Sequence, residues 1–594
     1  MLLDRCNEQL KKHSFVAAWV LVFILVIVFQ GTLANGFVYD DERQLVDNPF
    51  LRNAHLWRKI FSGSVWSFLG GQSQGNFYRP LHIFSYWLVY RLVGVDAAAY
   101  HLMQLVFYAG AAVLVFRLGS GLLESEAAGF AGALLWALQP LHVEPVAWIA
   151  GTPDVGCGFF YLLGFWLFWR AEHAPTRRAG RHVLAALAYF PALFYKEMAL
   201  SFPVLLLAYW LYLPSPDAWW KKGARWLLYV VPVVAYLGIR IETMGHFSEA
   251  RHVWRIEPRV VGAAIGLLGQ HAKQFFWPVH LNVFRTFDLH ASLLSLWPWL
   301  ALLVLLSTLW LRKRAPALAF AIVWWLVTLL PVMDIRQLSF PLIAERFSYL
   351  PSVGLCLAIA YLAVVWLPRL FPRWDAAPAA AAVVLLLGCF WAYQDVRAIP
   401  NWRDNQVLWS YSLRVAPDSG LVHVNHALVL QFVHGDLAGA TREFQTALRL
   451  NRASFQPLAN VAYDSNIGLG QIANLQGRTQ EAVEYFQKAI RIASQNSEAF
   501  DFLGSIYFPR QDYAKAAEYF QRAVEINPYD FSARFYLGTC RLKLGQPREA
   551  AEQFRAAREV DPSYSQAYEA EARALEALGD AAAAARVRSQ KPKD

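Results

Sequence analysis

Asn35-Gly36-Phe37-Val38-Tyr39-Asp40-Asp41-Glu42-Arg43 follows directly on a long apolar run that ends near Phe29. Adjacent carboxylates can divide the work of proton transfer, because like charges this close disfavour joint ionisation and raise or orient one member of the pair. A carboxylate at the hydrocarbon centre costs about 2.5–3.5 kcal/mol, so Asp40 and Asp41 are expected in the water-facing interface, just outside the bilayer. That place suits a base acting on a water-soluble acceptor with a lipid-borne reactant. The plainer alternative is a solvated loop or a helix N-cap. Other polar residues of the same kind recur downstream: Arg79; His142, Glu144 and Asp154; Lys196 and Glu197; Glu345 and Arg346.

The elements that must position these residues are apolar. The chain has 594 residues, 57% hydrophobic and 16% charged, with 24 Trp. This is a membrane-protein composition, except that the last third is polar and rich in Ala, Glu and Arg, which divides the chain into at least two domains. The formal charge of +10 reads as cytoplasmic loop charge, not nucleic-acid binding. Cys6, Cys157, Cys356, Cys389 and Cys540 are scattered and imply neither disulfides nor a zinc site. Runs long enough to span fall near 15–30, 98–118, 127–149, 155–170, 182–196, 198–213, 225–240, 292–311, 316–333, 350–368 and 377–394. The first reads as a retained span, not a cleaved signal. Placing the basic clusters Arg5/Lys11/Lys12, Arg170/Arg177/Arg178/Arg181, Lys221/Lys222/Arg225, Arg312/Lys313/Arg314 and Arg369/Arg373 in the cytoplasm makes about eleven spans alternate, N-terminus inside. Residues 80–95 and 260–280 are then interfacial. All the polar residues named above fall on the outer face, which predicts one site assembled there.

After residue 395 the chain repeats. Gly435, Gly477, Gln511, Gly545 and Gly579 head matching segments, and Ala440, Ala482, Ala516, Ala550 and Ala584 follow five residues later. Phe444, Phe486, Phe520 and Phe554 come next, and Gly504 and Gly538 occupy the small position of the preceding helix. The step is 34 from 482 to 516, 516 to 550 and 550 to 584, which is the tetratricopeptide period. The prediction is therefore all-α: a polytopic membrane domain over 1–395, with its first outer loop at 31–97, then a tetratricopeptide solenoid over 396–588 and a polar tail at 589–594. A degenerate unit is expected from Trp402 to Ala416-Pro417.

GFVYDDERQLVDNPFLR, YRPL at Tyr78–Leu81, QPLHVEPVAWIAGTPD at Gln139–Asp154, AERFSYLPSVG at Ala344–Gly354 and NWRDNQVLWSYSLRVAPDS at Asn401–Ser419 together resemble one family. It is the O-mannosyltransferases that join a GT-C membrane domain to tetratricopeptide repeats. The resemblance covers essentially the whole chain, in order, and the short loops fit a bacterial-type homologue of the inner membrane. It implies an inverting enzyme that moves a hexose, mannose in the family, from a polyprenyl-phosphate carrier to Ser/Thr hydroxyls of exported proteins on the non-cytoplasmic side. Asp41 or Asp40 is then the base, and Arg79, His142, Lys196 and Arg346 are candidates for the departing phosphate. The family reads His-Pro and Arg where this chain has Gln139-Pro140 and Pro153, so one donor contact is expected to differ.

Each of these residues has a simpler role open to it. His142 and Glu144 could cap a helix end; a divalent ion held by Asp41, His142 and Glu144 lacks compact ligand spacing. Asp154 could cap the span from Val155 or bind sugar. Lys196-Glu197 and Glu345-Arg346 could each be a self-neutralising pair. Trp57, Trp66 and Trp148 could stack on sugar or anchor at the interface. The repeats offer a concave surface for an acceptor polypeptide or a partner protein. Two other functions stay in view: a non-catalytic membrane scaffold whose repeats recruit cell-envelope partners, and a GT-C enzyme acting on a lipid or polysaccharide.

Overall fold

A computed structural model describes residues 2–70, 77–215, 217–245, 257–333, 342–370, 377–454 and 457–592. Arg373 and the end of the polar tail lie outside them. The described chain is helical throughout, with no strand, and falls into two compact units: Met1–Asp41 with Val93–Ala416, and Glu42–Leu92 with Pro417–Asp594. The segment after the acidic pair therefore packs with the repeats, and the helix Asn405–Val415 packs with the apolar unit.

In the apolar unit, five helices among the described residues are long and apolar enough to cross a membrane: Ser14–Ala34, Ala97–Leu122, Trp219–Met244, Ser352–Leu370 and Ala377–Trp402. Pro140–Ala147 and Ile149–Glu172 make a sixth only if taken as one span bent by 109°. This is fewer than the eleven expected. Run 127–149 stops being one helix at Ala137 and turns into short pieces, Pro140–His142 and Val143–Ala147. Glu197–Tyr212 and Pro316–Val332 are apolar but shorter. Trp297–Arg314 ends on Arg312, Lys313 and Arg314. Neither Pro80–Val93 nor Pro258–Phe276 is among the span-length apolar helices.

The sharp bend depends on close backbone approach. A Cβ on Gly151 would meet Pro145 Cα and its carbonyl oxygen at 2.7 Å, so only glycine lets the chain double back there. Gln104, inside the span Ala97–Leu122, fixes the turn from the other side. Its Nε2 donates to the carbonyls of Pro145 (3.2 Å), Trp148 (2.7 Å) and Ile149 (3.1 Å).

The second unit is built as the 34-residue period predicts. Gly420–Phe432, Ala459–Leu475, Glu498–Tyr507, Phe531–Lys543 and Ser565–Ala577 pair with Leu437–Ala453, Thr479–Ile492, Tyr513–Ile526, Pro547–Val560 and Ala581–Ser589. The five period alanines are fully buried; Phe486, Phe520 and Phe554 fill the gap against small residues of the preceding helix, whereas Phe444 meets Gly468 of the following one. A Cβ at Gly470, Gly504 or Gly538 would strike Phe486, Phe520 or Phe554 within 2.8 Å. Each segment head, Gln511 included, takes the left-handed conformation that reverses the chain between helices. Residues 42–92 pack against the turns between repeats: Phe50 meets Tyr529 edge-on at 5.0 Å, Asn53 Nδ2 donates to the Glu559 carbonyl at 2.5 Å, and Arg52 lies 3.7 Å from Asp561.

Candidate functional site

The acidic pair lies on a stretch whose backbone is fixed before any side chain is considered. Gly36 N–H donates to the Arg403 carbonyl at 2.8 Å, Asn35 Nδ2 donates to the Ile399 carbonyl, and Tyr39 N–H donates to Asn405 Oδ1 at 2.8 Å. Tyr39 adopts φ 53°, an uncommon conformation for a tyrosine. Trp148, Phe284 and Trp409, at 6.0, 5.7 and 5.2 Å, hold its ring. Strain of this kind persists where the surroundings over-determine the backbone, and it immediately precedes Asp40.

The two aspartates then part company. Asp41 is fully buried, contrary to the water-facing place expected of it. Its Oδ2 accepts the Val38 N–H at 3.0 Å and its Oδ1 the Ala150 N–H at 2.6 Å, which pins the pair's own loop to the bent turn at 148–151. Burial pushes the Asp41 carboxyl well above the usual carboxylate range, against the pull of these backbone N–H groups, and Asp40 adds to the rise. Asp40 is half-buried and lies within the electrostatic reach of Arg346.

Around Arg346 the remaining residues gather as two ion pairs. Arg346 binds Glu144 through its guanidinium, and its backbone N–H donates to the second Glu144 oxygen at 2.8 Å. Lys196 Nζ stands 2.5 Å from Asp154 Oδ1, with both residues buried. Phe347 lies between the two cations, its ring 5.1 Å from Lys196 Nζ and 5.4 Å from Arg346 Cζ. Burial alone would lower the Arg346 pKa; Glu144, Asp154 and Asp40 outweigh it and raise it, so the guanidinium stays charged.

The residues adjacent in sequence find ion-pair partners on other elements. Glu197 turns from Lys196 to Arg240, 3.5 Å away. Glu345 turns from Arg346 to Arg285 (3.0 Å) and to the Asn282 N–H (2.7 Å). Burial, with Arg285 opposing it, raises the Glu345 carboxyl to about 7. Asp154 is not an N-cap; it lies inside the first turn of Thr152–Glu172. The ligand set Asp41, His142 and Glu144 does not come together either. His142 hydrogen-bonds through one ring nitrogen to the Tyr108 hydroxyl (3.0 Å) and through the other to the Ser352 hydroxyl (2.9 Å), and Glu144 is taken by Arg346. Among the described residues no three His, Cys, Asp or Glu side chains form a group fit for a metal ion. Arg79 belongs to the other compact unit, with its guanidinium 4.3 Å over Phe77.

Sequence reasoning missed Gln104, Arg285, Asn405 and Phe347. Only Gln104 carried a signal, as an amide inside an apolar span. The sequence reads Trp148 as an interface anchor or a sugar platform; the residue is 4% exposed.

Comparison with known proteins bears on the same regions. The tetratricopeptide-repeat profile matches residues 510–574 and 430–497. "Protein O-mannosyl-transferase F38B6.6" of Caenorhabditis elegans is 23% identical over 452 residues, 73% of this chain and 62% of that protein. "Protein O-mannosyl-transferase Tmtc1" of Drosophila melanogaster is 30% identical over 177 residues, 30% of this chain and 20% of that protein. The chain thus spans less than two thirds of these relatives. Among solved structures, that of MamA protein is 21% identical with a TM-score of 0.25, covering 30% of this chain and 91% of that one. The chain is all-helical among its described residues, has apolar helices long enough to span a membrane and a tetratricopeptide-repeat region, and is similar to proteins named protein O-mannosyl-transferases.

Proposed function

We propose that this chain is an inverting membrane glycosyltransferase of GT-C type that moves a hexose from a polyprenyl-phosphate donor to Ser/Thr hydroxyls of exported proteins. The relatives' names favour mannose. Its N-terminus is cytoplasmic, and the acidic pair and the repeats face the non-cytoplasmic side. The observation that carries this reading is the division of labour between Asp40 and Asp41 beside a buried, alternating ion cluster.

Asp41 spends both oxygens on backbone N–H groups, so it acts as a positioning residue for the loop and for the turn that carries Glu144 and Trp148. Asp40 is the base. It takes the proton of the acceptor hydroxyl as that oxygen bonds to the anomeric carbon, and the bond from that carbon to the phosphate oxygen breaks. Polyprenyl phosphate leaves with the bonding pair. General-base assistance of this kind contributes about 10²–10⁴ in rate. Arg346 and Lys196, kept charged and fixed by Glu144 and Asp154, supply the positive field for the leaving phosphate, and stabilisation aimed at developing charge needs such preorganised partners. Glu345 holds Arg285, and Glu197 holds Arg240, at the margin of this cluster. The repeats bind the acceptor polypeptide or a partner.

Radiolabelled hexose transfer from a polyprenyl-phosphate hexose to protein, in membranes bearing wild type or Arg346→Met at matched levels, tests the reading. Transfer should fall at least a hundredfold in the variant. Equal transfer by both, or label that enters only lipid, would reject it.

A further inference from the structure

One buried donor beside the ion cluster lacks an acceptor among the described residues. The indole of Trp148 is 4% exposed and held on several sides. It stacks on Trp402 with centroids 5.9 Å apart and planes 25° apart, meets Tyr39 at 6.0 Å, and has Arg346 Cζ 5.2 Å from its ring. Its backbone carbonyl is fixed by Gln104 and its neighbour Ala150 by Asp41. The ring therefore cannot swing, and its faces are closed to a stacking sugar. Yet among the described residues Trp148 Nε1–H has no hydrogen-bond partner. A buried donor left unpaired costs about 1–3 kcal/mol, and nearly all such groups find a partner. A fixed, desolvated N–H at a cluster of this kind is a half-made hydrogen bond.

The charge around it selects the other half. The guanidinium of Arg346 lies over the ring, and Lys196 stands across Phe347 from it. An anionic oxygen at the indole N–H gains from both, whereas a neutral hydroxyl gains from neither. A phosphate oxygen accepts such bonds strongly, because charge-assisted bonds are about twice as strong as neutral ones. We infer that Trp148 Nε1–H donates to a non-bridging phosphate oxygen of the lipid-linked donor, beside Arg346, and holds the same phosphate as it leaves. This assignment rests on the transferase reading above and adds a residue to its donor site.

The test uses the full chain in lipid nanodiscs and a short-chain polyprenyl phosphate without sugar, with the matching polyprenyl alcohol as control. Trp148→Phe keeps an aromatic ring and removes the N–H. Replacement of Trp148 by β-(3-benzothienyl)alanine, in which sulfur stands for the N–H, keeps the full bicyclic shape if the phenylalanine variant folds poorly. The expected result is that either change weakens binding of the phosphate about tenfold and leaves the alcohol unchanged. Unchanged phosphate affinity in the folded analogue overturns the proposal. So does a loss confined to the hexose-bearing donor, which would put the sugar at the indole. If wild type shows the Trp148-dependent phosphate binding but transfers no hexose, the binding site stands and the transferase reading falls. If transfer proceeds with an unchanged donor KM in the variants, the reading stands and this inference falls.

Discussion

Asp41→Asn separates a strut from a base. Asp41 is fully buried, with Oδ2 on the Val38 N–H at 3.0 Å and Oδ1 on the Ala150 N–H at 2.6 Å. Asparagine keeps one oxygen and presents an NH₂ group to whichever backbone donor loses its acceptor. One buried hydrogen bond disappears and a backbone N–H is left facing a second donor, which costs about 1–3 kcal/mol. At about 2–4 °C per kcal/mol for a large domain, the thermal midpoint should drop by roughly 5 °C. Asp40→Asn, at a half-buried position, should shift it by less. The assay is thermal unfolding of the full chain in detergent, alongside hexose transfer at a temperature where both variants remain folded. Asp41→Asn should lower transfer by about tenfold, through displacement of the 148–151 turn, with much of the loss recovered on cooling. If Asp41→Asn leaves the midpoint unchanged and abolishes transfer, Asp41 is the base and the division of labour is wrong.

Three further outcomes follow from the packing. Glu144→Gln leaves Arg346 without its buried counter-charge and should destabilise the apolar unit by about 3–5 kcal/mol; Glu144→Gln with Arg346→Met should recover part of that loss in a thermal-unfolding double-mutant cycle. Gly70 sits at φ 68°, and a Cβ there would lie 2.3 Å from Asn527 Cα, so Gly70→Ala should loosen residues 42–92 from the repeat turns and speed their limited proteolysis severalfold. In the repeats, burial raises Asp464 to about 7 and Asp501 to about 8; Glu498 adds to both and Asp530 to the second, while Arg43 opposes the first. Folded pKa values above the unfolded ones stabilise at low pH and lose that stability as pH rises. The repeat unit should therefore lose up to about 1.4 kcal/mol per pH unit per carboxyl between pH 4 and 8, and Asp501→Asn should flatten the slope of midpoint against pH.

The repeats were legible because local periodicity dictates them. Ala482 and Phe486 recur at a fixed step, and the contact each makes is with its own neighbour in sequence. The candidate site was legible in its residue types but not in its pairings. Glu144 meets Arg346 and Lys196 meets Asp154 across helices that no local pattern connects, whereas adjacency had favoured Lys196-Glu197 and Glu345-Arg346. The count of eleven spans is not confirmed where apolar runs break. Residues 127–149 are apolar enough to read as one helix, but Gly151 and Pro145 fold their C-terminal end into a turn. The burial of Asp41 was hidden too, because a carboxylate beside a span reads as interfacial until backbone N–H groups are seen to compensate it.

The central claim is that Asp40 removes the acceptor proton. The most direct test is transfer of radiolabelled hexose from a polyprenyl-phosphate hexose to protein, in membranes carrying wild type or Asp40→Asn at equal protein level. Wild type should label protein, and Asp40→Asn should fall by about 10²–10⁴, to background, with its thermal midpoint preserved. Transfer by Asp40→Asn at the wild-type rate would contradict the account.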